Sequence, residues 1–222
     1  QRDDHEYVAT AYTSGPWDAR AQHGGPPAAL LVGAIERAAQ AQNPQLAAMR
    51  VTIDLLRPVP VAALRTELEA VRMGRRVGEW RGTLVADGKP CLRASVLLVA
   101  QQPLPTPLAP TPGQLPPPDA CPVYSFPFFR QPIGYHTAVD VRWAAGSWGA
   151  PPAGAWLRPR LPLIEGQDTL PIERTLIVAD AANGVGAALP FDRFTFLNAD
   201  LTVALSRPLV GEWVGLLVDT AA

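Results

Sequence analysis

The sequence predicts an α+β protein made of two related halves, each combining one long helix with an antiparallel sheet. Three observations predict this class. A proline-rich segment divides the chain, each half contains an apolar helical stretch among strand-like runs, and both halves carry an Asp-Leu…Arg-Pro pattern. The 222 residues suit two domains of about 100 residues each. Because the element order also matches between the halves, we interpret the chain as an internal duplication.

The segment 101–122 is the predicted connector between the halves. Nine of its 22 residues are proline. Proline donates no N–H and clashes with the preceding helical turn, so the segment suits neither a helix nor a central strand. We therefore expect an extended, semi-rigid linker between an N-terminal domain, 1–100, and a C-terminal domain, 123–222.

In the first half, apolar residues recur at every third or fourth position and predict a helix from about Pro27 to Gln42. Proline is tolerated at a helix start, and Asn43-Pro44 ends the pattern. A short strand near residues 7–12 precedes this helix. The strand-like runs that follow it are 50–56, 64–72, 76–86 and 92–100, with an Asp87-Gly88 turn between the last two.

The second half repeats this order. Strands are predicted at 135–143 and 155–162, and Pro171 opens a helix that runs to about Ala182, where Asn183-Gly184 supplies a stop. A further strand is predicted over 194–205. The repeated sequence pattern consists of Asp54-Leu55 and Arg57-Pro58 in one half, and of Asp200-Leu201 and Arg207-Pro208 in the other.

The second half stops before its pattern is complete. In the first half 42 residues follow Pro58 before the linker, whereas only 14 follow Pro208. About two strands are therefore missing, and a sheet ending there would leave an unpaired apolar edge, which proteins normally avoid. We expect the natural protein to continue past Ala222.

Composition argues against several classes of protein. A net charge of −1 gives no basic field for nucleic acid, and no run of 18 apolar residues predicts a membrane span. Cys91 and Cys121 form no spaced cluster with the three histidines, so no metal site is predicted. We expect both cysteines to be buried, unpaired thiols of a reducing cytoplasm.

Four stretches together resemble the thioesterase-like double-hotdog family, which is related to acyl-CoA thioesterase II. The resemblance covers nearly the whole chain apart from the linker. It implies a double hotdog, in which two antiparallel sheets each wrap a central helix, with the second half incomplete at the C-terminus. The stretches are AQHGGPPAALLVGAIE, RVTIDLLRPVP, ADAANG at 179–184, and NADLTVALSRP.

The resemblance also implies an activity. The expected reaction is hydrolysis of fatty acyl-CoA to free acid and CoA, in lipid metabolism, by an activated water and without a covalent intermediate. No metal or redox cofactor is implied, and CoA enters only as part of the substrate. The expected location is the cytoplasm, and the expected assembly is a homodimer or higher homo-oligomer.

Carried onto this chain, the catalytic Asp of the family falls on Asp180. The position of a catalytic hydroxyl falls on Asn198, which is a departure because an amide can bind water but is not a hydroxyl. A Gln that completes the family's site is expected beyond Ala222. Asp180 and Asn198 are thus the predicted catalytic residues.

The chemistry of the residues points the same way. Asp180 lies in an otherwise apolar helical stretch, where a carboxylate is costly unless it is hydrogen-bonded or functional. Burial is expected to raise its pKa, which suits a general base near neutral pH. Asn183, three residues on, would orient the Asp or the water. The alternative is that Asp180 bonds local backbone at the helix end.

Gly24 and Gly25 are the predicted oxyanion site. Backbone N–H groups at a helix start lack partners, and such donors stabilise the oxyanion that forms when a thioester is attacked. The alternative is a tight turn into the helix. His23 is interpreted as a turn residue or a substrate contact, because no G-x-S-x-G elbow exists to support a catalytic triad.

Three rival functions remain open. A non-catalytic acyl-thioester binder is supported by Asn198 in place of a hydroxyl. A hotdog dehydratase or hydratase would need an Asp and a His together, and no histidine lies near Asp180 in the sequence. A purely structural assembly protein is the third.

Overall fold

The first half folds as a long helix packed against antiparallel strands. The computed structural model describes residues 5–102 and 115–221, so most of the predicted linker, 103–114, lies outside the described residues. The elements of the first half are β1 (His5–Val8), α1 (Gly25–Gln42), β2 (Leu46–Leu55), β3 (Ala63–Met73), β4 (Val77–Ala86) and β5 (Lys89–Ala100). The predicted helix, the four strands that follow it and the Asp87-Gly88 turn, where both residues have positive φ, are confirmed. The short strand predicted near residues 7–12 lies earlier, at His5–Val8, and Ala11–Thr13 forms a 3₁₀ helix instead.

The second half contains a shorter set of elements. They are α2 (Tyr135–Ala138), β6 (Val139–Ser147), β7 (Ala150–Pro159), α3 (Pro171–Ala179), α4 (Ala182–Val185), β8 (Asp200–Ala204) and β9 (Val214–Val218). α3 contacts β7 and β9, as α1 contacts β2 to β5. The described chain therefore has the predicted α+β plan of two antiparallel sheets, each with a helix against it.

Three boundaries predicted for this half are wrong. The strand expected from Tyr135 begins as the single helical turn α2, because the Thr137 hydroxyl bonds back to Gly134. The helix expected through Ala182 breaks at Asp180, so Asn183-Gly184 lies inside α4 rather than ending α3. The strand expected from Phe194 begins only at Asp200. Before it, the Phe196 ring contacts the Phe191 ring and the Phe196 carbonyl accepts a hydrogen bond from the Asn183 side chain, in place of hydrogen bonds to a neighbouring strand.

One strand of the second half completes the sheet of the first. The larger sheet has the order β1-β3-β4-β5-β2-β8, and the smaller sheet has the order β6-β7-β9. β8 pairs antiparallel with β2, in a register that sets Asp54 opposite Asp200 and Thr52 opposite Thr202. The Asp-Leu segment of the first half therefore pairs with the Asp-Leu segment of the second half, where the two halves join.

The two central helices pack against each other in one continuous core. α1 is buried along most of its length, and Leu31, Val32 and Ile35 are fully buried. On α3, Glu173 is fully buried, and both of its carboxylate oxygens accept hydrogen bonds from Arg37 of α1. A Cβ at Gly33 would collide with the Glu173 carboxylate, so glycine is needed where this ion pair crosses between the helices.

Two further structural findings concern the length of the helices and the state of the cysteines. Among the helices in 5–102 and 115–221, none is both long and apolar enough to cross a bilayer. Cys91 and Cys121 are both buried and unpaired.

Candidate active site

A cavity of about 470 Å³ lies between the two halves. Its first-half wall comes from the loop that leads into α1 and from the end of β2, and its second-half wall comes from α2, the α3–α4 break and the segment before β8. Five of the six predicted site residues line it, namely His23, Gly24, Asp180, Asn183 and Asn198. The volume lies within the usual range for small-molecule sites.

Asp180 occupies the C-terminal end of α3, where the helix dipole disfavours a negative charge. The opposing dipole comes from the start of α1, where the Gly25 amide donates to the carboxylate. A Cβ at Gly24 would lie 3.0 Å from Asp180 Oδ2, and a Cβ at Gly25 would lie 2.5 Å from the carbonyl oxygen of Ile177. The two glycines therefore allow the two helix ends to meet.

Side chains from distant parts of the chain converge on this carboxylate. His23 Nδ1 lies 2.9 Å from Asp180 Oδ2, and Asn198 Nδ2 donates to Asp180 Oδ1 at 2.7 Å. Asn183 Nδ2 in turn donates to Asn198 Oδ1 at 3.1 Å. The structure thus brings the predicted catalytic pair together with His23 and with Asn183, which was predicted to orient the Asp or the water.

The contacts fix the position of one proton on His23. An ionised carboxylate only accepts hydrogen bonds, so Nδ1 of His23 must carry the hydrogen that faces Asp180. The Gly25 amide lies 3.3 Å from that same nitrogen and also donates to the Asp180 carboxylate, which is the partner left to it once Nδ1 carries a hydrogen. In a neutral imidazole Nε2 then holds the lone pair, and no residue within 5–102 or 115–221 hydrogen-bonds to it.

The expected direction of the Asp180 pKa shift is wrong. Burial does raise the pKa of Asp180, but the interactions with His23 and the hydrogen bonds from Asn198 and Gly25 outweigh it. The net result is a pKa below the usual value for an aspartate. Asp180 is therefore a stable anion at neutral pH and a weak base on its own.

Tyr135 is part of the site, and the sequence did not indicate it. Its ring stacks on the His23 imidazole with centroids 3.9 Å apart and planes 5° from parallel. Its hydroxyl donates to the Ile177 carbonyl at 2.9 Å, and burial together with the Asp180 charge raises its pKa. The imidazole is thus held by Asp180 at its edge and by Tyr135 on its face.

Gly24 and Gly25, which were together predicted as the oxyanion site, differ in their contacts. Gly24 lines the cavity, and in the described part of the chain its amide has no hydrogen-bond partner. Gly25 does not line the cavity, and its amide is occupied by Asp180. Gly24 therefore remains the candidate oxyanion donor, whereas Gly25 positions the carboxylate.

The sequence argument against an Asp–His pair is wrong. No histidine is near Asp180 along the chain, but folding places His23 in contact with it. Periodicity and motif spacing carry no information about this approach, because it depends on the packing of α1 against α3.

Aromatic rings form much of the cavity wall. The chain has six phenylalanines, and five of them line this cavity; Phe194 is the exception. Trp17 joins them from the first half, with its ring centroid 5.3 Å from that of Phe191. The available sequence signal was the clustering of all six in SFPFF and FDRFTF. The five are Phe126, Phe128, Phe129, Phe191 and Phe196.

No metal centre is found in the described ranges, since no three His, Cys, Asp or Glu side chains there are grouped suitably to hold an ion.

Comparison with known families identifies the class of protein. The model for the acyl-CoA thioesterase N-terminal domain matches residues 13–99, and the model for the acyl-CoA thioesterase C-terminal domain matches residues 118–222. The chain therefore belongs to the acyl-CoA thioesterase family and is a thioester hydrolase. No curated protein sequence matches it.

Solved structures confirm the double-hotdog fold. A protein from Novosphingobium aromaticivorans, provisionally assigned as a thioesterase, superposes with a TM-score of 0.74 at 17% identity, covering 99% of this chain and 84% of that one. An acyl-CoA thioesterase II from Mycobacterium marinum superposes with a TM-score of 0.62 at 18% identity, covering 96% and 78%. At these identities the likeness shows the fold alone.

Proposed function

We propose that this chain hydrolyses acyl-CoA thioesters with a water activated at the Asp180–His23 pair, without a covalent intermediate. The observation that carries the proposal is the 2.9 Å contact between His23 Nδ1 and Asp180 Oδ2 on the wall of the cavity. A carboxylate that holds one imidazole nitrogen leaves the other free to accept a proton. The lowered pKa of Asp180 favours this arrangement over direct proton transfer to the carboxylate.

A water in the cavity gives a proton to His23 Nε2 while its oxygen attacks the thioester carbonyl carbon. The tetrahedral intermediate collapses, the C–S bond breaks, and the imidazolium returns the proton to the departing sulfur. The products are a carboxylic acid and CoA. Asn198 bonds the other oxygen of Asp180 and helps to position the water.

Two further groups support substrate binding in this proposal. The Gly24 amide is the donor for the carbonyl oxygen as it becomes an oxyanion. Arg57 is exposed and lines the cavity, so its guanidinium is suited to a phosphate of CoA.

The test is the release of free thiol from acyl-CoA by the wild type and by four variants. Asp180→Asn and His23→Gln should each lower kcat by roughly 10²–10⁴-fold. The double variant should be no worse than either, because the two residues act as a unit. Asp192→Asn removes an exposed carboxylate outside the cavity and should keep full activity.

The outcomes separate the rival functions. If His23→Gln retains activity while Asp180→Asn loses it, Asp180 acts on the water directly. If Asp180→Asn is as active as the wild type, the proposed mechanism is wrong. If the wild type releases no thiol but binds acyl-CoA tightly, the non-catalytic binder is correct.

A second candidate is hydration of enoyl thioesters, and the Asp180–His23 pair favours it for the same reason. Such an enzyme adds water across a carbon–carbon double bond and leaves the thioester intact. Incubation with an enoyl-CoA distinguishes the two, since hydration consumes the double bond without releasing thiol.

The substrate class, the location and the assembly remain proposals. The resemblance implies fatty acyl-CoA as substrate, a cytoplasmic location and a homodimer or higher oligomer. Size-exclusion chromatography with light scattering tests the assembly.

A further inference from the structure

We infer that the cavity selects planar aromatic acyl groups over aliphatic ones, so that the preferred substrate is an aryl-acyl thioester such as benzoyl-CoA. This inference rests on the proposed function, because it places the acyl carbonyl at the Asp180–His23 pair. The observation behind it is that five of the six phenylalanines in the sequence line this one cavity.

Four of these five rings are only partly buried. The buried core is built largely from Leu, Val, Ile and Ala, and of the five cavity phenylalanines only Phe126 is buried. Phe128, Phe129, Phe191 and Phe196 are partly exposed. The chain therefore places its phenylalanines where a ligand can reach them.

The rings form a continuous series that starts at the catalytic pair. Tyr135 stacks on His23, and Phe129 lies near Tyr135 with ring centroids 6.4 Å apart. Phe128 follows at 5.1 Å from Phe129, and Phe191 lies 4.0 Å from Phe128. An acyl group whose carbonyl carbon is at the catalytic pair would lie along these rings.

The orientation of the rings is what favours a planar group. Phe128 and Phe191 are within 6° of parallel, Phe128 and Phe129 within 28°, and Trp17 and Phe191 within 22°. Burial of apolar area stabilises any bound hydrocarbon of the same size about equally. Stacking of one ring on another adds binding free energy that only an aromatic ligand can gain. The wall thus distinguishes ligands by planarity as well as by hydrophobicity.

The test compares two thioesters with the same number of acyl carbons. Benzoyl-CoA carries a flat ring conjugated with its carbonyl, whereas cyclohexanecarbonyl-CoA carries a puckered ring that is not. Each kcat/KM is therefore divided by the rate of uncatalysed hydrolysis of the same thioester, so that the ratio between the two compounds reports the stacking contribution. We expect kcat/KM, divided in this way, to be roughly tenfold higher for benzoyl-CoA, which is cleaved with water to benzoate and CoA.

The variants localise the effect. Phe191→Leu keeps an apolar side chain but removes a ring from the series, and it should bring the ratio of the two kcat/KM values close to one. Phe194→Leu makes the same change three residues away, outside the cavity, and should leave the ratio unchanged. Phe196→Leu is a second lining variant, to be used if Phe191→Leu does not fold.

Failure of the inference is distinguishable from failure of the proposed function. Cleavage of both thioesters at equal kcat/KM overturns the aromatic preference and leaves hydrolysis intact. A ratio that survives Phe191→Leu, or Phe196→Leu where Phe191→Leu does not fold, does the same. If neither thioester is cleaved, hydrolysis fails, and equilibrium binding of the same two compounds to the wild-type chain decides. Tighter binding of benzoyl-CoA supports the aromatic preference, and equal binding overturns it.

Discussion

At the residue scale, the site depends on a carboxylate that is kept charged although it is buried. Asp180 is 7% exposed, and three donors, from His23, Asn198 and Gly25, compensate for its loss of water. The sequence indicated Asp180, because a carboxylate in an apolar helical stretch is costly to bury unless it is hydrogen-bonded or functional. It could not give the sign of the pKa shift, since that sign depends on donors that only the fold supplies.

The lowered pKa makes the stability contribution of Asp180 dependent on pH. Since the folded pKa lies below the unfolded value of 3.8, this contribution is fully present above pH 3.8 and is lost as the pH falls through the folded pKa. Asp180→Asn should therefore lower the free energy of unfolding by about 2 kcal/mol at pH 7. The gap between wild type and variant should narrow below pH 3.8.

Urea unfolding of both proteins at pH 7 and near pH 3 checks this expectation. Asp192→Asn, which removes an exposed carboxylate, should show no gap at either pH. A gap between the wild type and Asp180→Asn that keeps its full size at the lower pH would contradict the assigned direction of the shift.

At the element scale, the approach of α1 to the end of α3 builds the site. The sequence predicted both helices, because their apolar spacing and their opening prolines are local signals. It did not predict the break between α3 and α4, which presents Asp180 and Asn183 from successive short elements. A break stabilised by contacts with another helix leaves no local sequence signal.

Gly25→Ala tests this approach. The added Cβ would lie 2.5 Å from the Ile177 carbonyl oxygen, so the helix ends must separate. We expect a loss of roughly 1–3 kcal/mol in stability, measured as a lower Tm, together with reduced thiol release because Asp180 loses the Gly25 amide.

Gly184→Ala is the matched control, since its Cβ would meet the Phe128 ring at an ordinary contact distance of 3.4 Å. If Gly25→Ala and Gly184→Ala have the same Tm, the close approach of the two helices is not required.

At the scale of the whole molecule, the buried ion pair between Arg37 and Glu173 joins the halves. Glu173 is fully buried, and Arg37 is partly exposed. The repeated pattern predicted two halves, but it could not indicate this ion pair or the pairing of β8 with the sheet of the first half. Both are contacts between halves, which a pattern read within each half cannot reveal.

Removing one partner of this pair should be more costly than removing both. Arg37→Met leaves the Glu173 carboxylate buried without its partner and should lower the free energy of unfolding by about 3 kcal/mol. Glu173→Gln in the Arg37→Met background should recover part of that loss, because the uncompensated charge is gone. Chemical denaturation of the two single variants and the double variant measures the coupling.

The pairing of β8 with β2 has a consequence for how this gene can change. The strand that follows Asn198 belongs to the sheet of the first half, while His23 from the first half is held by the Asp of the second. Neither copy of the duplicated unit therefore encodes a complete site. A substitution in either half alters the one site that both halves build, so neither half can be exchanged alone without changing that site.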